Sequence, residues 1–119
     1  MDYYGRPIPL VVGKRNLYVD LAAERVLTAE RGNERIAVEI QSFLGPSDVT
    51  DLQGALGQFV LYRAVMDRTD PGRILYLAVS RTVYQDVMSD QLGQLARETL
   101  RVPLIVFDPI SQEIEQWLS

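Results

Sequence analysis

A chain of 119 residues, 47% hydrophobic and 24% charged, has room for one core and not for two, so a single domain over residues 1–119 is expected. It contains no cysteine and no histidine, which excludes disulfides, thiolate nucleophiles, imidazole bases and Cys/His zinc sites; any metal must be a hard cation on oxygen ligands, Mg²⁺ or Mn²⁺. The formal net charge of −4 speaks against a simple basic nucleic-acid binder.

In chain order, Ile8 to Val12 reads as an edge strand interrupted by Pro9, and Gly13-Lys14 turns the chain. Asn16 to Ala22 alternates, with Leu17, Val19 and Leu21 on one side and Tyr18 and Asp20 on the other. A weaker extended stretch, Val26 to Ala29, leads to a polar turn at Gly32-Asn33-Glu34. The next strand, Arg35 to Phe43, places Ile36, Val38 and Ile40 toward the core and Ala37, Glu39 and Gln41 on the opposite face. After the break at Gly45-Pro46, Ser47 is the expected N-cap of a helix from Asp48 to about Met66. Its inward side is expected to carry Leu52, Leu56, Phe59, Val60 and Tyr62 or Val65. Gly54 and Gly57 in that helix are explained by close packing on the sheet.

Ile74 to Val79 is the nearly continuous apolar run of a central strand covered on both faces. Ser80 caps a short helix over Thr82 to Met88, and Asp90 caps another over Gln91 to Leu100 with Leu92, Leu95 and Ala96 inward. Val102 to Phe107 is a further strand, and a last strand ends at Trp117. The order implies an α/β (α+β) fold, a mixed sheet flanked by helices. No apolar run reaches the roughly 18 residues of a membrane span, and no secretory pattern opens the chain, so a cytoplasmic protein is expected.

The chemistry gathers on Asp20, Glu39 and Gln41. If the strands bearing the two carboxylates pair, these side chains face each other across about 5 Å, an arrangement that favours a shared cation. Mg²⁺ there would activate a water and steady a phosphate; alternatively both carboxylates simply meet solvent. Gln41 shares the face of Glu39, but it brings no charge and is no general base near neutral pH. The single lysine, Lys14, lies roughly 20 Å before Asp20 along an extended chain. Lys14 and Arg15 read as a solvated turn or as phosphate contacts. Gln58 and Tyr62, one helical turn apart, either approach the sheet-borne site or serve as an exposed amide and a core ring. Tyr3 and Tyr4 stack on bases or cover core.

The stretches Gly13-Lys14-Arg15-Asn16-Leu17-Tyr18-Val19-Asp20-Leu21, Ile36-Ala37-Val38-Glu39-Ile40-Gln41-Ser42-Phe43, Ala55-Leu56-Gly57-Gln58-Phe59 and Leu104-Ile105-Val106-Phe107-Asp108-Pro109 resemble the XisH family, the element-excision controlling factors of cyanobacteria. The resemblance implies a restriction-endonuclease-like fold. In that fold Asp20 corresponds to the metal-site aspartate, Glu39 to the acidic residue of an E-x-K element and Gln41 to its lysine. Gln58 and Tyr62 are similar to a helix motif beside the site. The family is associated with removal of the fdxN DNA element and with a small partner protein, XisI. Typical members carry lysine at the position of Gln41 and aspartate at that of Asn16, and begin with a further helix. Its absence here is expected to leave sheet to be covered by a partner or a second copy.

Two functions follow as expectations. One is a Mg²⁺-dependent DNA endonuclease using Asp20 and Glu39. The other is a catalytically silent factor with a degenerate D…E-x-Q site, acting through XisI or DNA.

Overall fold

The computed structural model describes residues 11–12, 15–16 and 25–31, of these the backbone alone, together with residues 33–111 and 113–118. Two short strands, β1 (Val11–Val12) and β2 (Arg15–Asn16), pair antiparallel with each other. The main sheet holds five strands in the order β3 (Arg25–Arg31), β4 (Glu34–Ile40), β5 (Arg73–Ser80), β6 (Leu104–Phe107) and β7 (Ile114–Leu118). The three central strands β4, β5 and β6 run parallel, and β3 and β7 flank them antiparallel. This is the mixed sheet with helices that the pattern of elements predicts.

The long helix α1 (Asp48–Thr69) links β4 to β5, as a parallel crossover requires. Ser47 caps it, its hydroxyl accepting from the Thr50 amide at 3.2 Å, and Asp48 and Asp51 sit in the first turn where the helix dipole favours them. Asp70 closes it through its amide on the Met66 carbonyl, ahead of Pro71. Ser80 likewise caps α2 (Arg81–Val83), which widens at once into a π-helical turn over Tyr84–Met88 rather than continuing as the regular helix expected to Met88. α3 (Gln91–Leu100) starts on Asp90, whose carboxylate accepts from the Gly93 amide at 2.8 Å. It ends at Arg101, a left-handed residue with φ 54°.

The sheet is covered on both faces. Leu52, Leu56, Phe59, Tyr62, Val65 and Met66 of α1 pack on Ala37, Leu75, Leu77, Val79, Leu104 and Val106, and Val87 and Met88 of the π turn close that core. The other face buries Ile36, Val38, Tyr76, Ala78 and Ile105, with Trp117 set edge-on to Tyr76 at 5.2 Å between ring centres. The alternation along β4 is therefore as predicted, but the larger, helix-covered core lies on the Ala37 side rather than the Ile36 side. The expected exposed sheet is not found: Ile36 and Ile105 are sealed from solvent within the single chain. The chain preceding the first strand, where the family's extra helix was expected to be missing, lies outside the described residues.

The helices depart from expectation at four points. Val60 is 38% exposed, on the outer side of α1. Gly54 and Gly57 do not touch the sheet; a Cβ at either position would meet nothing within 4 Å. Leu92 and Leu95 face outward at 46% and 64% exposure. The cause lies at Gly93, which is buried with its Cα so close to the π turn that a Cβ would come within 2.1 Å of the Val87 carbonyl oxygen. Docking α3 by its backbone at Gly93, with Ala96 beside it, rotates the two leucines away from the core.

Candidate functional site

Side chains alternate across a strand, so Glu39 shares the face of Ala37, beneath α1. Its neighbours across the sheet are Val26 on β3 and Leu77 on β5. The hairpin partner of the Glu39 strand is thus Arg25–Arg31 and not the stretch ending in Asp20. Glu39 is fully buried at 0% exposure, and Glu39 and Gln41 are the two buried polar side chains among the described residues. Glutamate is seldom withdrawn from water in this way unless its charge is compensated. A buried carboxylate at a strand end is therefore a feature of chemistry rather than of packing.

Gln41 stands one residue beyond β4, where its amide N–H prolongs the ladder to the Ala78 carbonyl at 3.1 Å. Its side-chain Nε2 donates to Oε1 of Gln58 on α1 at 2.7 Å. The structure thereby joins two residues that the sequence reading placed at the site separately. Tyr62, one turn further along α1, is buried in the apolar core, so its ring serves packing. The Gln41–Gln58 contact is short and neutral. It places a hydrogen-bonded amide pair at the position where the family pattern has a lysine, and it supplies no cation to offset a phosphate. Asp20 and Lys14, and the side chain of Arg15, lie outside the described residues, as do Tyr3 and Tyr4.

The carboxyl ends of the parallel strands form one edge of the sheet, where ligands of open α/β sheets usually bind. Gln41, Arg81 and Asp108 all fall there, each immediately after a strand. Arg81 pairs with Asp108 at 3.2 Å and with Glu115 on β7 through a close contact of its guanidinium. The Glu115 carboxyl is held below its usual range chiefly by the Arg81 hydrogen bond. That of Asp108 is lowered chiefly by the amide of Ile110, which it accepts at 2.8 Å. The sequence reading passed over this trio because Arg81 lies 27 and 34 residues from its partners. No local signal joins them.

A hard divalent cation asks for about six oxygen ligands, several of them carboxylates. Among the described residues no cluster of three Asp or Glu side chains suited to a metal occurs. Glu39 gives one carboxylate and Gln41 one amide oxygen, its nitrogen being turned to Gln58. The described residues thus fit part of such a site, and its second expected carboxylate is Asp20. Nor does any described helix have the length and apolarity to cross a membrane.

A central parallel trio of strands, a long crossover helix over a buried glutamate and a strand-end amide pair define the class of protein. Across residues 4–115 the chain matches the family model for XisH protein. It therefore belongs to the XisH family. The crystal structure of an XisH family protein from Nostoc punctiforme is similar with a TM-score of 0.84 and 33% identity, over 99% of this chain and 88% of that one. A fdxN element excision controlling factor protein from Anabaena variabilis aligns with a TM-score of 0.83 and 32% identity, over 98% of this chain and 86% of that one. No protein of curated function matches significantly.

Proposed function

We propose that this chain is a single-domain, cytoplasmic factor for programmed DNA element excision, built on a restriction-endonuclease-like fold whose metal site has lost its lysine. The observation that carries the reading is the buried Glu39 with Gln41 bound to Gln58 at 2.7 Å. The carboxylate of the E-x-K element is kept while its basic member is replaced by a neutral amide. The similarity to the Anabaena variabilis excision controlling factor supports the biological role.

Asp20 and Glu39 would hold Mg²⁺ or Mn²⁺, which when bound supplies charge stabilisation to a phosphate. Gln41 and Gln58 orient each other by their hydrogen bond, and neither takes a proton from water near neutral pH. DNA handling then falls to a complex with an XisI-like small protein, with Lys14 and Arg15 as phosphate contacts. A second reading, an active Mg²⁺-dependent endonuclease, is favoured by the burial of Glu39, which a purely structural strand does not need.

Nicking of supercoiled DNA during a Mg²⁺ or Mn²⁺ titration separates the two readings. The first predicts no nicking by the chain as it stands and nicking by Gln41→Lys, lost again in the Gln41→Lys, Glu39→Ala double variant. Metal-dependent nicking by the unaltered chain, lost in Glu39→Ala, would overturn the first reading in favour of the second.

A further inference from the structure

The outer face of α1 lacks the charge that a solvated helix surface normally carries. From Leu52 to Tyr62 there is no charged residue, yet half of this stretch faces outward. Val49 is 48% exposed and Leu61 53%, and Gly54 and Gly57 lie open beside them. On a helix of 3.6 residues per turn, Gly57 falls at the centre of this face, with Thr50, Gln53, Gly54, Val60, Leu61, Ala64 and Arg68 close about it.

The face is self-complementary. Large side chains, Val60 and Leu61, occupy one side of Gly57, and the small residue Gly54 with Gln53 occupies the other. If two copies meet antiparallel on a two-fold axis at Gly57, Val60 of each stands on Gly54 of the other, Leu61 on Gln53 and Ala64 on Thr50. The charges agree with the same register. Arg68 in the last turn of one helix arrives over the first turn of the other, where Asp48 is exposed, and the helix dipoles oppose. A parallel arrangement would set Arg68 against Arg68, Asp48 against Asp48 and glycine against glycine. Both charge and volume select the antiparallel pair.

We infer that the outer face of α1 docks a second copy of this chain as an antiparallel, two-fold helix pair centred on Gly57. Two helices of 22 residues alone bury less than the roughly 800 Å² per partner of a standard stable interface. The dimer is accordingly weak and concentration-dependent. The inference rests on α1 alone and is independent of the chemistry assigned to Glu39.

Cysteine scanning tests it directly, because the chain has no cysteine of its own and the positions concerned are exposed. Under mild oxidation Gly57→Cys is expected to link to itself. Gln53→Cys mixed with Leu61→Cys should give the mixed dimer in excess over either self-linked species. Sedimentation velocity between about 1 μM and 1 mM, a range bracketing weak association, should show a dimer that Leu61→Glu abolishes and Leu95→Glu on α3 leaves unchanged. A chain that stays monomeric throughout, a Gly57→Cys variant that does not link, or a dimer that survives Leu61→Glu would each overturn the inference. The last two outcomes would assign this face to a different protein or to none.

Discussion

The two ends of the parallel strands handle polar groups in opposite ways. At the amino-terminal end, Asp70 is gripped at 2.8 Å by both Arg35 and Arg73, in a cluster that water reaches, and Arg73 also donates to the Ile36 carbonyl at 3.0 Å. At the carboxyl end, Glu39 and Gln41 are taken out of water beneath α1. The first arrangement ties the loop after α1 to the start of β4 and asks nothing unusual of its charges. The second keeps an acidic residue where leucine or valine would pack at lower cost. That difference marks function: the conspicuous ion pairs are structural, and the buried glutamate with its neutral neighbour is the site.

Substitutions sharpen the contrast. The frame common to both ends should respond most. Phe59→Ala removes a fully buried ring and is expected to cost about 3–5 kcal/mol, read from urea unfolding. Gln58→Leu should come next. It deprives the buried Gln41 amide of its acceptor and is expected to cost about 1–3 kcal/mol. Asp70→Asn should be milder, about 1 kcal/mol or less, since the ion pairs it removes are water-accessible. Were Asp70→Asn to cost more than Gln58→Leu in the same assay, the ranking of the two ends would be reversed.

The smallest effect is one of pH. The Asp70 carboxyl is lowered chiefly by the Arg73 hydrogen bond, and Asp108 and Glu115 are also depressed at the opposite edge. A depressed carboxylate contributes stability that is complete above its unfolded value, about 4, and is lost as pH falls through the lower folded value. Thermal melts should therefore soften progressively below about pH 4, and Asp70→Asn should flatten part of that slope. An unchanged slope in the variant would remove Asp70 from the account.

Much of this architecture was legible because its signals are local. Ser47 and Asp90 begin helices as N-caps, Asp70-Pro71-Gly72 ends one, and the apolar run from Leu75 to Val79 is buried on both faces as a central strand must be. The errors arose where a contact between distant segments decides orientation. Leu92 and Leu95 have the spacing of an inward stripe, and only the close approach of Gly93 to Val87 turns them out. Gly54 and Gly57 suggested a tight seat on the sheet but lie on the opposite side of α1. At the site, Glu39 and Gln41 were identified from their spacing of two. Their burial and the bond to Gln58 depend on where α1 lands, and no local pattern encodes that. The partner of the Glu39 strand was misjudged for a related reason: Val26 to Ala29 is a weak strand signal, yet the stretch pairs fully from Arg25 to Arg31 across a tight turn.

Everything said of the chemistry depends on Glu39 being a ligand rather than a tolerated polar residue. The direct test is calorimetric titration of Mn²⁺ into the unaltered chain and into Glu39→Gln, which keeps shape and hydrogen-bonding capacity while removing the charge. Binding of one ion per chain, weakened at least tenfold (about 1.4 kcal/mol) in the variant, is the predicted result. Equal binding by both proteins, or none by either, would contradict it.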